Sequence, residues 1–520
     1  MGVGLAGATG ASSRCQTGNG NKTAGPLERD TASAFTPDVE LALTAAPRAV
    51  QILPGAPTRV WAYSGSVIKG PPATLQSLPG SYLGPIIRLH TGQRVRIHFA
   101  NQVPESTIVH FHGLHVPERM DGHPRFIIPN GQSYMYEFEV LNRAGTYWYH
   151  PHHHDRTGPQ VYNGLAGLLL VSDPTEAALG LPSGAQEIVC VLQDRTFDAD
   201  NQLIYGSDEP MASMRGFLGD RVLVNGQAQA SLSLGTRAYR FRLLNGSNSR
   251  VYELAWGDGT PMTVVGTDGG LLEHPLGRPH LTLAPGERAD VILDLNRHPV
   301  GTILQLRSLA FPGAPFEIGM RGMGMGRGVG RMGRGGRQTS TANGSPFTIL
   351  TIHVQRRESS SFELPATLST FDSWRPEKIG RPARRLTVQF GRMQWLLNGR
   401  TFEIDEVAPN ETVSLDAKEV WEFDNSGPAM MGMRLAHPIH LHGRQFRVLN
   451  REVDPRLAKD WESLREGFTD EGWKDTVLVM PGERVQILVY FTRYTGTSLY
   501  HCHNLEHEDM GMMRNYRVVA

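Results

Sequence analysis

Ten of the 20 histidines in this 520-residue chain fall into four short clusters, two near its start and two near its end. They are His110-Phe111-His112-Gly113, His150-Pro151-His152, His437-Pro438-Ile439-His440-Leu441-His442-Gly443, and His501-Cys502-His503 with His507 and Met512 after it. A lone histidine is usually structural. Four paired clusters make a metal-binding pattern, because imidazole is the commonest side-chain metal ligand.

Side chains two apart on a strand share a face, and neighbours take opposite faces. By that parity His501 and His503 look one way and Cys502 the other; His110 goes with His112, His150 with His152, and His440 with His442. His437, an odd number of residues before His440, can face the Cys502 side, although Pro438 disturbs ideal strand geometry there. Two sites follow, one of histidine alone and one with a thiolate. Donors for the second are Cys502, His437, His507 and the thioether of Met512, with Met513 competing by adjacency. Two imidazoles, a thiolate and a weak axial thioether are the ligands of a blue copper electron-transfer centre, and zinc gains nothing specific from a thioether. The other eight clustered histidines are too many for one ion and enough for three, with positions left open for a small ligand. Cys502 is joined through the backbone to His501 and His503, so an electron reaching the thiolate has a short covalent route to the histidine-only site.

These residues need strands to hold them, and the composition supplies strands. With 58 Gly and 34 Pro set between valine-rich or alternating runs, the chain reads as all-β, many short strands joined by tight turns. Its length suits two to four domains. Three segments share a Gly turn followed by an alternating strand: Thr91-Gly92-Gln93-Arg94, Pro285-Gly286-Glu287-Arg288 and Pro481-Gly482-Glu483-Arg484. A second echo pairs Val222-Leu223-Val224-Asn225-Gly226 with Trp395-Leu396-Leu397-Asn398-Gly399. Together they predict three β-sandwich domains in series, 38–176, 177–360 and 361–520, after a leader over 1–37 that reads as flexible or as the remnant of an export signal. Two stretches break the pattern: a Gly/Arg/Met tract over 320–337, too flexible and cationic to pack a core, and a short charged helix within an insertion over 454–473.

Lys plus Arg and Asp plus Glu both number 51, which leaves no global field for nucleic acid. No apolar run approaches a membrane span; Gly164 to Val171, bounded by Asn163 and Ser172-Asp173, is far short of one. Only Cys15, Cys190 and Cys502 are present, so no disulfide framework can be read, and Cys190 lies in an apolar strand-like run as a buried thiol.

The four clusters match, in order and with every ligand position filled, the signatures HxHG, HxH, HPxHxHG and HCHxxxHxxxxM of the multicopper oxidases, which the chain resembles from about Val39 onward. The segments Asn163 to Leu168 and Glu506 to Met513 look like the bacterial cuprous oxidase and bilirubin oxidase branches. The resemblance implies three consecutive cupredoxin-like Greek-key β-sandwiches and four copper ions. It places type 2 copper on His110 and His440. Type 3 coppers fall on His112, His150 and His503 and on His152, His442 and His501, and type 1 on His437, Cys502, His507 and Met512. His153 and His154 extend the second cluster beyond the family pattern. Asp121, in Met120-Asp121-Gly122, and Glu506 resemble the family's proton-delivery acids; the bland alternatives are an Asx-turn residue and a hydrogen-bond acceptor to a ligand histidine.

The implied reaction couples four one-electron oxidations of a small reducing substrate to the reduction of O2 to two waters. A laccase-like donor, a phenol or aromatic amine, is expected. Cu(I) is the alternative, suggested by Met320, Met323, Met325, Met332, Met430, Met431 and Met433, although the long Met-rich insertion of cuprous oxidases is missing where Arg392-Met393-Gln394-Trp395 runs into Asn398-Gly399. A copper-binding tolerance protein with little turnover is the non-enzymatic alternative. By resemblance the protein is expected to be a monomer, periplasmic or secreted, and exported by the twin-arginine route, though no Arg-Arg pair stands in the leader.

Overall fold

In the computed structural model, which describes residues 35–206, 210–312, 342–359, 361–371, 382–391, 393–428 and 434–520, each third of the chain pairs two β-sheets face to face. The first sandwich sets Thr58–Lys69, Val39–Val50, Arg94–Asn101 and Ser133–Glu139 against Leu75–Gln76, Ile86–His90, Gly167–Ser172, Gly145–Pro151 and Val109–His112. Alternation drives the packing: Val39, Leu41, Leu43 and Ala45 of one strand point inward to meet Phe111, Leu169 and Val171 of the facing sheet. The second sandwich packs a seven-stranded sheet on a five-stranded one around Phe241, Trp256 and Leu306. The third packs six strands on five, and its core contains Trp421, Ile487, Cys502 and Met512. In each, the opening strand runs parallel to a strand reached by a crossover: Val39–Val50 with Arg94–Asn101, Glu187–Arg195 with Ala238–Asn245, and Arg384–Gly391 with Lys418–Asp424. The fold is all-β and cupredoxin-like.

One of the two sequence echoes is structurally equivalent and the other is not. Asn225 and Asn398 both sit at left-handed φ, 52° and 54°, before a glycine in a tight hairpin, and each exchanges hydrogen bonds with the sheet's opening strand, at Val191 and Thr387. The Gly-turn triplet is mismatched at its first member. Gly286 and Gly482 donate their N–H to the carbonyls of Asn245 and Asn425, each at 2.9 Å, and feed the strand next to the crossover strand. Their counterpart in the first sandwich is Gly131, bonded to Asn101 at 2.7 Å, whereas Gly92 donates to Val140 and feeds the crossover strand itself. A Gly turn before an alternating strand serves several places in a sandwich, so local pattern does not separate them.

The insertion folds as the helix Ala458–Leu464 and a 3-10 turn Arg465–Gly467; Leu464 and Phe468 pack with Val251, Ala284 and Met480 between the second and third sandwiches. Among the described residues no helix is long and apolar enough to cross a membrane. The tract 320–337, Met430, Met431, Met433, Cys15 and the leader up to residue 34 lie outside the described residues.

Candidate metal centres

Two strand pairs, one from each terminal sandwich, carry or immediately precede nine of the clustered histidines, and His507 sits on the helix Leu505–Asp509. Val109–His112 runs antiparallel to Gly145–Pro151 with His110 directly opposite His150. His437–Leu441 lies between Thr476–Val479 and Gly496–Cys502, where His440 faces His501 and Ile439 faces Cys502. Directly opposed residues share a face, so the register sets His440 with His501 and leaves His437 on the parity of Cys502. The sandwiches then meet ring on ring: His110 stacks on His442 at 3.9 Å between centroids, and His112 on His440 at 3.7 Å. All ten clustered histidines and Cys502 are fully buried.

The hydrogen bonds assign the tautomers. His110, His440 and His150 each turn Nδ1 to a backbone carbonyl, of Asp121 at 2.5 Å, Asp475 at 2.7 Å and Pro151 at 2.8 Å. His442 turns Nδ1 to the Asp121 carboxylate at 3.0 Å, and His501 turns Nδ1 to its neighbour's carbonyl at 3.1 Å. Such oxygens only accept, so these rings carry the proton on Nδ1 and leave Nε2 bare. His112 is reversed: Nε2 donates to Asp475 Oδ1 at 3.0 Å, which leaves Nδ1 bare. The bare nitrogens converge. His442 Nε2 lies 2.9 Å from His501 Nε2 and His112 Nδ1 lies 3.4 Å from His150 Nε2, the Nε2 atoms of His110 and His440 have no hydrogen-bond partner, and beside them His152 Nε2 lies 3.3 Å from His501 Nε2 while His152 Nδ1 and both ring nitrogens of His503 are likewise unpartnered. Lone pairs facing one another in a dry interior repel unless a cation lies among them, so the donor set fits bound metal.

The thiolate centre is as compact. His437 Nδ1 and His507 Nδ1 are 3.2 Å apart and lie 3.5 and 3.6 Å from Cys502 Sγ. His507 donates Nε2–H to the Met214 carbonyl at 3.0 Å, which bares Nδ1. Cys502 N–H bonds the Met512 carbonyl at 3.0 Å, and Met512 packs in the same core as Cys502. Met513 stands opposite His501 and packs with Phe402 and Leu499, on the other face. Two nitrogens, a thiol sulfur and a neighbouring thioether suit copper.

Burial sets the protonation. It holds the rings of His112, His150, His152, His437, His442 and His503 well below the usual imidazole value, and brings His440 and His507 to about 3. Neutral rings are the ligating form. Burial pushes the Cys502 thiol up, so a cation must displace its proton.

Three acids approach the histidine-only centre. Asp121 holds His110 with its carbonyl and His442 with its carboxylate, and burial raises its carboxyl against the opposing pull of the His110 ring, whose Nδ1 is 3.4 Å from Oδ1. Gly122, at φ 83°, lets this turn close on the ligand strand, since a Cβ there would meet the Val109 carbonyl at 2.5 Å. Asp475 lies between His112 and His440, and sequence reasoning missed it. Glu508 was also missed: its Oε2 is 3.2 Å from His501 Nδ1 and its Oε1 is 3.5 Å from His152 Nε2, and neither oxygen has a hydrogen-bond partner.

Glu506 points elsewhere. It accepts from the Tyr205 hydroxyl at 2.6 Å, Asn248 at 2.8 Å, Phe217 N–H at 2.8 Å and the Ser249 hydroxyl. Of the two histidines beyond the pattern, His153 is half-buried with Nδ1 on the His154 carbonyl, and His154 packs on Phe402; neither joins a centre.

Three family profiles, each described as multicopper oxidase, match residues 61–176, 187–302 and 378–520. A multicopper oxidase of Staphylococcus haemolyticus is 30% identical over 439 residues, 84% of this chain and 83% of its own. A laccase of Bacillus subtilis is 31% identical over 503 residues, covering 88% and 90%. The crystal structure of the McoA multicopper oxidase from Aquifex aeolicus superposes with a TM-score of 0.75 at 32% identity, over 94% of this chain and 97% of that one. The chain therefore belongs to the multicopper oxidases, copper-dependent oxidoreductases that take electrons from a reducing substrate and use O2 as acceptor.

Proposed function

We propose that the chain holds four copper ions and couples four one-electron oxidations of a phenol or aromatic amine to reduction of O2 to two waters. His437, Cys502 and His507, with Met512 as weak axial donor, would hold one ion. His110 and His440 would hold a second, His112, His150 and His503 a third, and His152, His442 and His501 a fourth. The reading rests above all on the convergence of proton-free ring nitrogens, with 2.9 Å between those of His442 and His501. Copper supplies one-electron exchange at the thiolate and multi-electron delivery to O2 at the cluster.

The remaining work falls to the chain. The Cys502 backbone links the two centres. Asp121 and Asp475 aim the rings, and complete burial excludes water. Asp121 and Glu508 are the acids placed to hand on protons. Glu508 lies beside His152 and His501 with its oxygens uncommitted, which suits a relay better than Glu506, whose oxygens already accept four bonds.

A laccase-type donor is supported by the hairpin in which Gly391 pairs directly with Gln394, leaving two residues between the strands and no room for a Met-rich insertion. Domain limits of 38–176, 177–360 and 361–520 belong to the same proposal, with sandwich strands running over 39–172, 187–356 and 384–519. The test is copper per chain, the visible thiolate-to-copper band, and turnover with a phenol, Cu(I) and bilirubin. Four coppers, the band and fastest turnover of the phenol are expected. Turnover of Cu(I) alone would overturn the donor assignment.

A further inference from the structure

The middle sandwich supplies no histidine to either centre, yet one of its side chains reaches the cluster through a single intermediary. Arg288, at the start of the strand Arg288–Asp294, grips the Asp475 carboxylate at two points, Nη1–Oδ1 2.7 Å and Nη2–Oδ2 2.6 Å. Both residues are wholly buried. Asp475 N–H in turn lies 3.3 Å from Asp268 Oδ2, and Asp268 Oδ1 accepts the Arg288 N–H at 2.7 Å, so the pair is fixed from the backbone as well.

Asp475 addresses two stacked rings with different atoms. Its carboxylate accepts Nε2–H of His112 at 3.0 Å, and its carbonyl accepts Nδ1–H of His440 at 2.7 Å. The Thr476 hydroxyl donates to Asp475 Oδ1 at 3.0 Å and keeps that oxygen in place. A second observation supports the arrangement from the sequence side. Gly113, directly after His112, has φ 88°, and a Cβ on it would lie 2.5 Å from Asp475 Oδ2 and 2.7 Å from Arg288 Nη2. The glycine that closes the first histidine cluster therefore leaves the space this ion pair fills.

We propose that Asp475, gripped by Arg288 of the middle sandwich, is the positioning residue that fixes opposite tautomers on His112 and His440 and so decides which nitrogen each ring turns to the cluster. The inference rests on reading these two rings as copper ligands. Two stacked imidazoles whose metal-facing atoms differ, Nδ1 on one and Nε2 on the other, need separate acceptors on their far sides, and Asp475 provides both. Arg288 matters because its planar two-point grip denies the carboxylate rotation; Lys keeps the charge without the fork. The middle sandwich thereby acts on the chemistry without supplying a ligand.

The test uses full-length Asp475→Asn and Arg288→Lys. The visible thiolate-to-copper band serves as the internal control for folding, since that centre lies on the other face of the Cys502 strand. Asp475→Asn is expected to keep the band, to lose about 10–100-fold in copper affinity at the histidine-only centre, and to change the electron paramagnetic signal of the non-thiolate copper. Arg288→Lys should fall between it and the parent. Nitrogen-15 shifts of labelled histidine in metal-free protein should report His112 protonated on Nε2 in the parent and mixed in Asp475→Asn. Unchanged copper retention, signal and ring shifts in Asp475→Asn would overturn the proposal. Should that variant lose the band, Arg288→Lys carries the same readouts, and parent-like values there overturn it. A parent that binds no copper at the histidines sinks the ligand reading instead, while the ring shifts still judge Asp475.

Discussion

The two centres lie on opposite faces of one strand, a single peptide unit apart, yet different parts of the molecule hold them. His437, Cys502, His507 and Met512 all come from the third sandwich, and among the described residues the middle third adds Met214, whose carbonyl accepts from His507 and whose side chain packs into the same core. The histidine-only centre draws ring nitrogens of four histidines from the first sandwich and three from the third into shared donor groups, with His503 beside the His112 and His150 rings and Arg288 of the second sandwich locking an acid behind them. One centre is a product of a domain's own core, and the other is a property of an interface. Changes inside the third core should therefore silence the first without emptying the second, whereas changes at the interface should do the reverse.

Cys502→Ser is the largest break of that comparison. It should abolish the visible band and bring donor oxidation to background, while about three coppers per chain stay on the histidines, a retention argued from their separate acceptors. Metal analysis with visible absorption checks this, and loss of all copper would show that the two centres are not independently held.

The next effect separates two acids on one short helix, Leu505–Asp509. Glu508→Gln should cut turnover about 100-fold or more, the size of a lost general acid, with copper content and melting temperature near the parent's. Glu506→Gln should do the opposite. It leaves the N–H and O–H groups of Phe217, Ser249, Asn248 and Tyr205 facing an amide, at a cost of about 1–3 kcal/mol in stability, and turnover by folded molecules should stay within a few fold. Steady-state rates and thermal unfolding on both variants decide it; equal rate losses would return Glu506 to the relay.

That pair also marks how far residue order could be read. Strand parity is a two-state property, so the faces taken by His501, Cys502 and His503, and the side taken by His437, are legible in the residue order itself. Neighbouring acids on a single helical turn are not two-state: Glu506 and Glu508 point in directions set by what packs against the helix, here Tyr205 and Asn248 on one side and His152 and His501 on the other. Glu506, beside the ligand strand, resembles the family's proton-delivery acids by its place in the motif, and place along the chain carries no direction. Asp475 and Arg288 are 187 residues apart, and no spacing joins them. The available signal was thermodynamic: Lys474-Asp475 abuts the apolar strand Thr476–Val479, and charges at the edge of a buried strand must have partners. The Gly-turn triplet failed for a related reason. Gly92 and Gly286 serve the same local need, a left-handed corner before a strand, at different places in the sheet order.

The smallest effect tests the thiolate centre's own boundary, between Met512 and Met513. Met512 shares the Cys502 core and Met513 stands opposite His501 on the other face, so adjacent identical residues should respond differently. Met512→Leu removes the axial thioether and should shift the visible band and raise the reduction potential, because a weaker axial donor favours the reduced ion. Met513→Leu, a swap of similar volume against Phe402 and Leu499, should cost less than about 1.5 kcal/mol of stability and leave both readouts at parent values. Absorption and a potentiometric titration on the two proteins settle the matter. A band that moves with Met513 and not with Met512 would place the axial donor on the wrong face of the strand, and with it the division between the two centres.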